Sequence, residues 1–302
     1  MNDLGRFHAE REVRRGYADG QGTRYGEAIN RYLGAAGYRP EDPVRHAVVP
    51  AATKAGLVLV GVDDSLTSYT AVDHAAIEAE MRGWGLRLLH VERALSFRPA
   101  ARDAGARLIQ RLIDRVHAYS PSVTVTSRVA LGMAAPLLLL EAQEADLVVV
   151  GHRHGAAGAV FGVSVGDRVA ADHPGVVLVV RVPGWPPGPG FGARPIVVGA
   201  TRDDSPEVKF ALGEARTRGS DLILLHAGGT LPAAEEIDVR DGFRVRRQVV
   251  AGDPATALID ASNHAAALVV GRHGPGGIPP GLLGSVSRSV VQRAHCPVFL
   301  VG

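Results

Sequence analysis

The stretch GRHGPGGIPPGLLGSVSRSV begins at Gly271 and concentrates six glycines and three prolines ahead of a helical pattern. It follows an apolar run ending at Val270, which places it between a strand and a helix. Glycine tolerates positive φ and lets a ligand approach the backbone. The helix opening near Ser285 offers free N–H groups and the positive end of its dipole. Ser285 is placed to cap that helix and to donate a hydroxyl hydrogen bond. Gly271, Gly274, Gly284 and Ser285 together have the makings of a phosphate cradle, without the GK[ST] of a Walker A loop. A flexible glycine-rich turn ahead of a capped helix explains the same glycines.

Other groups invite chemistry more weakly. His152 and His154 flank Arg153 with metal-ligand spacing but lack a third ligand nearby in sequence, so solvent-facing histidines are the simpler reading. Arg153 and Arg272 hold neighbouring loop positions and would suit phosphate oxygens, or an ordinary surface. His90 and His226 end matching apolar runs and read as hydrogen-bonded structural histidines bordering a pocket. The acids of VDDS and RDDSP suit Mg²⁺ with phosphates or simple helix N-capping. No nucleophile–base pair or arginine finger stands out.

The elements that must position these groups are duplicated. ADLVVVGHRHG at Ala145 returns as AALVVGRHG at Ala266, and GLVLVGVDDS at Gly56 as RPIVVGATRDDS at Arg194. LRLLHVE at Leu86 pairs with DLILLHAG at Asp221, and HPGVVLVVR with AHCPVFLVG. Four matches in one order mean two copies of one domain. The boundaries read as an extension over 1–52, a first domain over 53–182, a Pro/Gly linker over 183–193 and a second domain over 194–302. Continuous Val/Leu/Ile runs alternate with amphipathic segments. This predicts an α/β fold of two tandem doubly wound, five-stranded, parallel-sheet domains of Rossmann-like type. The second copy is expected to repeat the element order of the first, with no two-residue turns. The extension mixes both charge signs; a helix is expected near Glu27–Gly34 within an exposed, partly disordered arm, or else a lid or dimer contact.

Composition narrows the class. The 302 residues are 46% hydrophobic and 21% charged with net charge +2, so a basic nucleic-acid surface is not expected. The one cysteine fits a reducing cytoplasm. No apolar run reaches the ~18 residues of a membrane span, and no signal peptide is visible.

The pattern G-x2-G-x9-G-[ST] from Gly271 to Ser285, with GVDDS at Gly61 and the LLH strand endings, resembles the nucleotide-binding universal stress proteins over roughly Gly56 to Gly302. The resemblance implies that Gly271, Gly274, Gly284, Ser285 and the Val286 backbone hold ribose and phosphates of ATP or another adenine nucleotide, with Mg²⁺ admitted. It implies base-side contacts at Asp63 and Val91 in copy one and at Thr201 and Ala227 in copy two. Gly151 and Ser164 are the phosphate-side counterparts in copy one. Copy one departs from the pattern: His154 replaces the second glycine, the loop is one residue shorter, and Val163 meets the Gly284 position with Gly162 beside it. Copy two is therefore expected to be the stronger binder. The resemblance further implies a pseudo-twofold pairing near Val176–Val180 and Val298–Val301, an open question of homodimerisation, and a protein partner of unknown identity. The expected role is a nucleotide sensor in stress response; a slow ATPase or nucleotidyl-handling enzyme, and a nucleotide-free interaction module, are the alternatives.

Overall fold

The structure is a computed structural model that describes residues 24–35, 56–92, 99–152, 164–182, 191–228, 234–240, 242–273 and 282–302. The first half supplies strands β1 (Leu57–Val62), β2 (Gly85–Glu92), β3 (Val125–Leu131), β4 (Leu147–His152) and β5 (Val177–Arg181). The second supplies β6 (Ile196–Gly199), β7 (Leu222–Ala227), β8 (Ala234–Arg240), β9 (Phe243–Val250), β10 (Ala267–Gly271) and β11 (Val298–Val301). Helices are α1 (Arg24–Ala35), α2 (Leu66–Arg82), α3 (Pro99–Tyr119), α4 (Ala134–Glu141), α5 (Val165–Asp172), α6 (Pro206–Arg218), α7 (Pro254–Ser262) and α8 (Ser285–Arg293).

The strands form one sheet in the order β3-β2-β1-β4-β5-β11-β10-β6-β7-β9-β8. Ladders within each half are parallel apart from β8. The two last strands meet as expected: β5 and β11 pair antiparallel, with Val298 opposite Val179 and Leu300 opposite Val177. Val58, Leu59 and Val60 are all fully buried because both sheet faces are covered. One core layer gathers residues of α1, α2, α3 and α6, the other residues of α4, α5, α7 and α8. The winding reverses between β1 and β4, and again between β6 and β10, which is where doubly wound sheets open a crevice. No helix among the described residues is long and apolar enough to cross a membrane.

Two expectations need correction. The second copy does not repeat the first: β8 stands where α3 would be, and it returns antiparallel onto β9 with Arg240 opposite Phe243. Gly242 lies at φ 87 in that turn, and Asp-Gly between β-branched runs is a strong hairpin signal. The helix expected near Glu27–Gly34 is present as α1, but it is packed rather than exposed, and the rest of the extension, 1–23 and 36–52, lies outside the described residues. Tyr25, Ile29 and Tyr32 of α1 fall on one face and are 1%, 0% and 1% exposed. Tyr32 donates to Ser120 Oγ at 3.2 Å. Gly26 of α1 abuts the linker turn Phe191–Ala193 so closely that a Cβ on Gly192 would lie 2.1 Å from the Gly26 Cα.

Candidate functional site

The β1–α2 junction is fixed by hydroxyl chemistry. Ser65 is the N-cap of α2 and accepts from the Ser68 amide. Asp63 donates its amide to Ser68 Oγ at 2.9 Å, and its Oδ1 accepts from the Ser68 hydroxyl at 2.8 Å and from Ser65 Oγ. The carboxylate is thus held rigidly at the strand end while remaining exposed. His90 is turned away from the crevice, with Nδ1 2.9 Å from the Val62 carbonyl, as a structural histidine should be. Between these elements lies a cavity of about 420 Å³, lined by Gly61, Asp63, Thr67, Val91, Leu138, Gly151, Ser164 and Gly166 among others. That is within the ~300–1,000 Å³ of small-molecule sites.

The phosphate-side wall is the start of α5. Ser164 is its N-cap and accepts from the Asp167 amide at 3.0 Å, while its hydroxyl donates to Asp167 Oδ2 at 2.8 Å. The Asp167 carboxyl is held below the usual range, first by the His152 hydrogen bond and then by Ser164. His152 Nδ1 is 3.1 Å from Asp167 Oδ1, so this buried histidine serves the helix start rather than solvent. The Ser164 hydroxyl is committed, which leaves the first-turn N–H groups of Val165 and Gly166 as anion donors. Gly166 is required there, because a Cβ would lie 2.7 Å from the Gly151 carbonyl.

The counterpart region of copy two is built differently. Thr201 is exposed and Ala227 half-buried at the ends of the first two strands of that half. Asp203 is clamped by Arg247, through Nε at 2.9 Å and Nη2 at 2.7 Å, and lies 3.4 Å from His226 Nε2. Gly284, not Ser285, is the N-cap of α8; Ser285 is its first residue and exposed, and Val286 is half-buried behind it. Ser287 donates to the Gly271 carbonyl at 2.7 Å, in the place that Gly166 leaves empty in copy one. Gly274, His154, Arg153, Gly162 and Val163 lie outside the described residues. Arg272 is turned away from any phosphate position: it is buried and donates to the Gly175 carbonyl at 2.6 Å across the seam. A cavity of about 450 Å³ in this half lies between β9 and α7, lined by Gln248, Asp253 and Thr256, and includes none of the expected contacts.

Thr67, Ser68, Leu138 and Gly166 are cleft residues that the motif did not reveal. Ser68 had a signal, since a hydroxyl three residues after an N-cap serine faces the same turn. Among the described residues no group of three or more His, Cys, Asp or Glu converges on one point. Nothing described would hold Mg²⁺ without oxygens from a ligand.

Residues 56–181 and 230–302 match the universal stress protein family. A universal stress protein of Mycobacterium tuberculosis H37Rv is 30% identical over 80% of this chain and 94% of its own length. One from Mycolicibacterium smegmatis is 29% identical over 84% of this chain and 99% of its own. The crystal structure of a universal stress protein from Archaeoglobus fulgidus shares the fold, with TM-score 0.61 at 16% identity, over 81% of this chain and 97% of that one.

Proposed function

The chain belongs to the universal stress protein family, and from that premise we propose that its first cleft binds an adenine nucleotide such as ATP and reports on it. The observation that carries the reading is the cavity of about 420 Å³ at the β1/β4 reversal, walled by the pinned Asp63 and the opening turn of α5. A base fits against Val91 and Leu138. The backbone donors of Val165 and Gly166 face the phosphate end. This ranks the first copy above the second, the reverse of the order suggested by loop spacing.

The output is binding rather than turnover. Ligand that binds the folded state alone stabilises it by about 2.7 kcal/mol at a hundredfold excess over Kd. Leu66, Met133 and Val165 are 70%, 74% and 43% exposed at or beside cleft residues. A protein partner that senses the filled cleft would meet these side chains.

Mass spectrometry of small molecules released from the purified chain, followed by calorimetry with ATP, tests the reading. Val91→Trp should fill the cleft and abolish one site without lowering the melting temperature of the empty protein. Unchanged ATP binding in that variant, or no adenine nucleotide bound by the native chain, overturns it.

A further inference from the structure

Thr67 and Glu207 occupy the same step of the repeat. Each is the second residue after the serine at the N-cap position of the helix that follows the first strand of its half, Ser65 or Ser205, although only Ser65 makes a side-chain cap bond. Thr67 lines the first cleft, and its Cγ2 and carbonyl oxygen lie 2.6 and 3.2 Å from where a Cβ on Gly151 would sit. Gly271 is the matching strand end of the second half. The Cδ and Oε2 of Glu207 lie 3.6 and 3.7 Å from its Cβ position. A strand end that faces a neutral side chain in one copy therefore faces a carboxylate in the other.

No cation among the described residues forms an ion pair with that carboxylate. Arg272 reaches the other way, to the Gly175 carbonyl. Arg247 is held by Asp203, and Arg202 by Asp204 at 3.0 and 2.7 Å. The hydroxyl that pins Asp63 is also missing, since Val208 stands where Ser68 would be and is buried. The half-buried Glu207 carboxylate thus lies beside Gly271, whose carbonyl accepts from Ser287 in the first turn of α8, so an anion drawn to the start of that helix would approach a like charge.

We infer that Glu207 is a specificity-determining residue that withholds nucleoside polyphosphates from the second cleft, so that the two clefts of one chain differ in the charge of the ligand they accept. The inference builds on the reading of the first cleft as a nucleotide site, but its test separates the two. Calorimetry with ATP is run on the full chain and on Glu207→Thr, Glu207→Gln, Val91→Trp and Val91→Trp/Glu207→Thr, each checked for an unchanged circular dichroism spectrum. One site is expected in the native chain, two in Glu207→Thr, none in Val91→Trp and one in the double variant. Glu207→Gln, which removes charge but not bulk, should strengthen the second site at least tenfold. If the native chain binds no ATP and Glu207→Thr binds one, the first-cleft reading fails and the role of Glu207 stands. Two sites in the native chain, or no site gained by either folded Glu207 variant, overturns the role of Glu207 whatever the first cleft does.

Discussion

Arg218 and Glu78 meet 2.6 Å apart across 140 residues of chain, and neither side chain is more than 1% exposed. The pair joins α6 of one half to α2 of the other. Glu214 lies 3.0 Å from the same guanidinium, and Arg82 closes the ring by pairing with both Glu78 and Glu214. Tyr25 of α1 roofs it, its ring centroid 4.0 Å from the Arg218 guanidinium carbon. Breaking such a buried pair strands a charge, which costs about 3–5 kcal/mol. Arg218→Met should lower stability by that much in urea unfolding. Adding Glu78→Gln should cost less than the sum of the single changes, with a coupling of about 1 kcal/mol or more.

Asp63→Asn keeps the shape of the β1–α2 junction and removes its charge. If the carboxylate contacts the base side of a bound nucleotide, ATP affinity in the first cleft should fall about tenfold, the lower end of what a hydrogen bond to a charged group contributes. Calorimetry on the folded variant measures this directly.

His173 is buried at the end of α5, and its pKa is lowered by burial and then by the nearby Arg272. The fold therefore prefers the neutral ring. The unfolded chain, with an ordinary value of about 6.5, takes up the proton first as pH falls. Stability should accordingly be complete above about pH 6.5 and decline below it, towards the lowered folded value. His173→Gln should flatten the difference between urea midpoints at acidic and neutral pH. An unaltered difference would assign the effect to other groups.

Cys296 is buried, and burial pushes its thiol up to about 12. A thiol-specific reagent at neutral pH should label it only at the rate of unfolding, and urea should make labelling fast.

Gly242→Ala places a side chain at φ 87 in the β8–β9 turn. A loss of about 1–2 kcal/mol is expected, read as a lower melting temperature, with ATP stoichiometry unaffected.

Most strands were legible because runs such as Leu57–Val62 and Val298–Val301 have no polar face to expose. That the two copies pair followed from the duplication, whereas the choice of β5 and β11 as the meeting strands was implied by the family resemblance. The β8 hairpin was not legible once repetition of element order was assumed, although Asp241-Gly242 announced it. The burial of α1 was hidden because its partners, Ser120 and Arg218, are remote in sequence. Arg272 shows the same limit: its residue type suits phosphate, but the Gly175 carbonyl across the seam decides where it points. Glu207 escaped notice because its meaning comes from packing against Gly271, not from a motif.

The β5–β11 ladder holds the two halves together as parts of one polypeptide. In an assembly of identical chains related by a twofold, every substitution appears at both symmetry-related places, and neither cleft can change alone. Covalent fusion lifts that constraint. A mutation at codon 207 alters one crevice and leaves codon 67 as it was, while the tether keeps the partners at a fixed one-to-one ratio at any dilution. Inheritance of two unequal clefts as a single unit is open to this chain and closed to a homodimer.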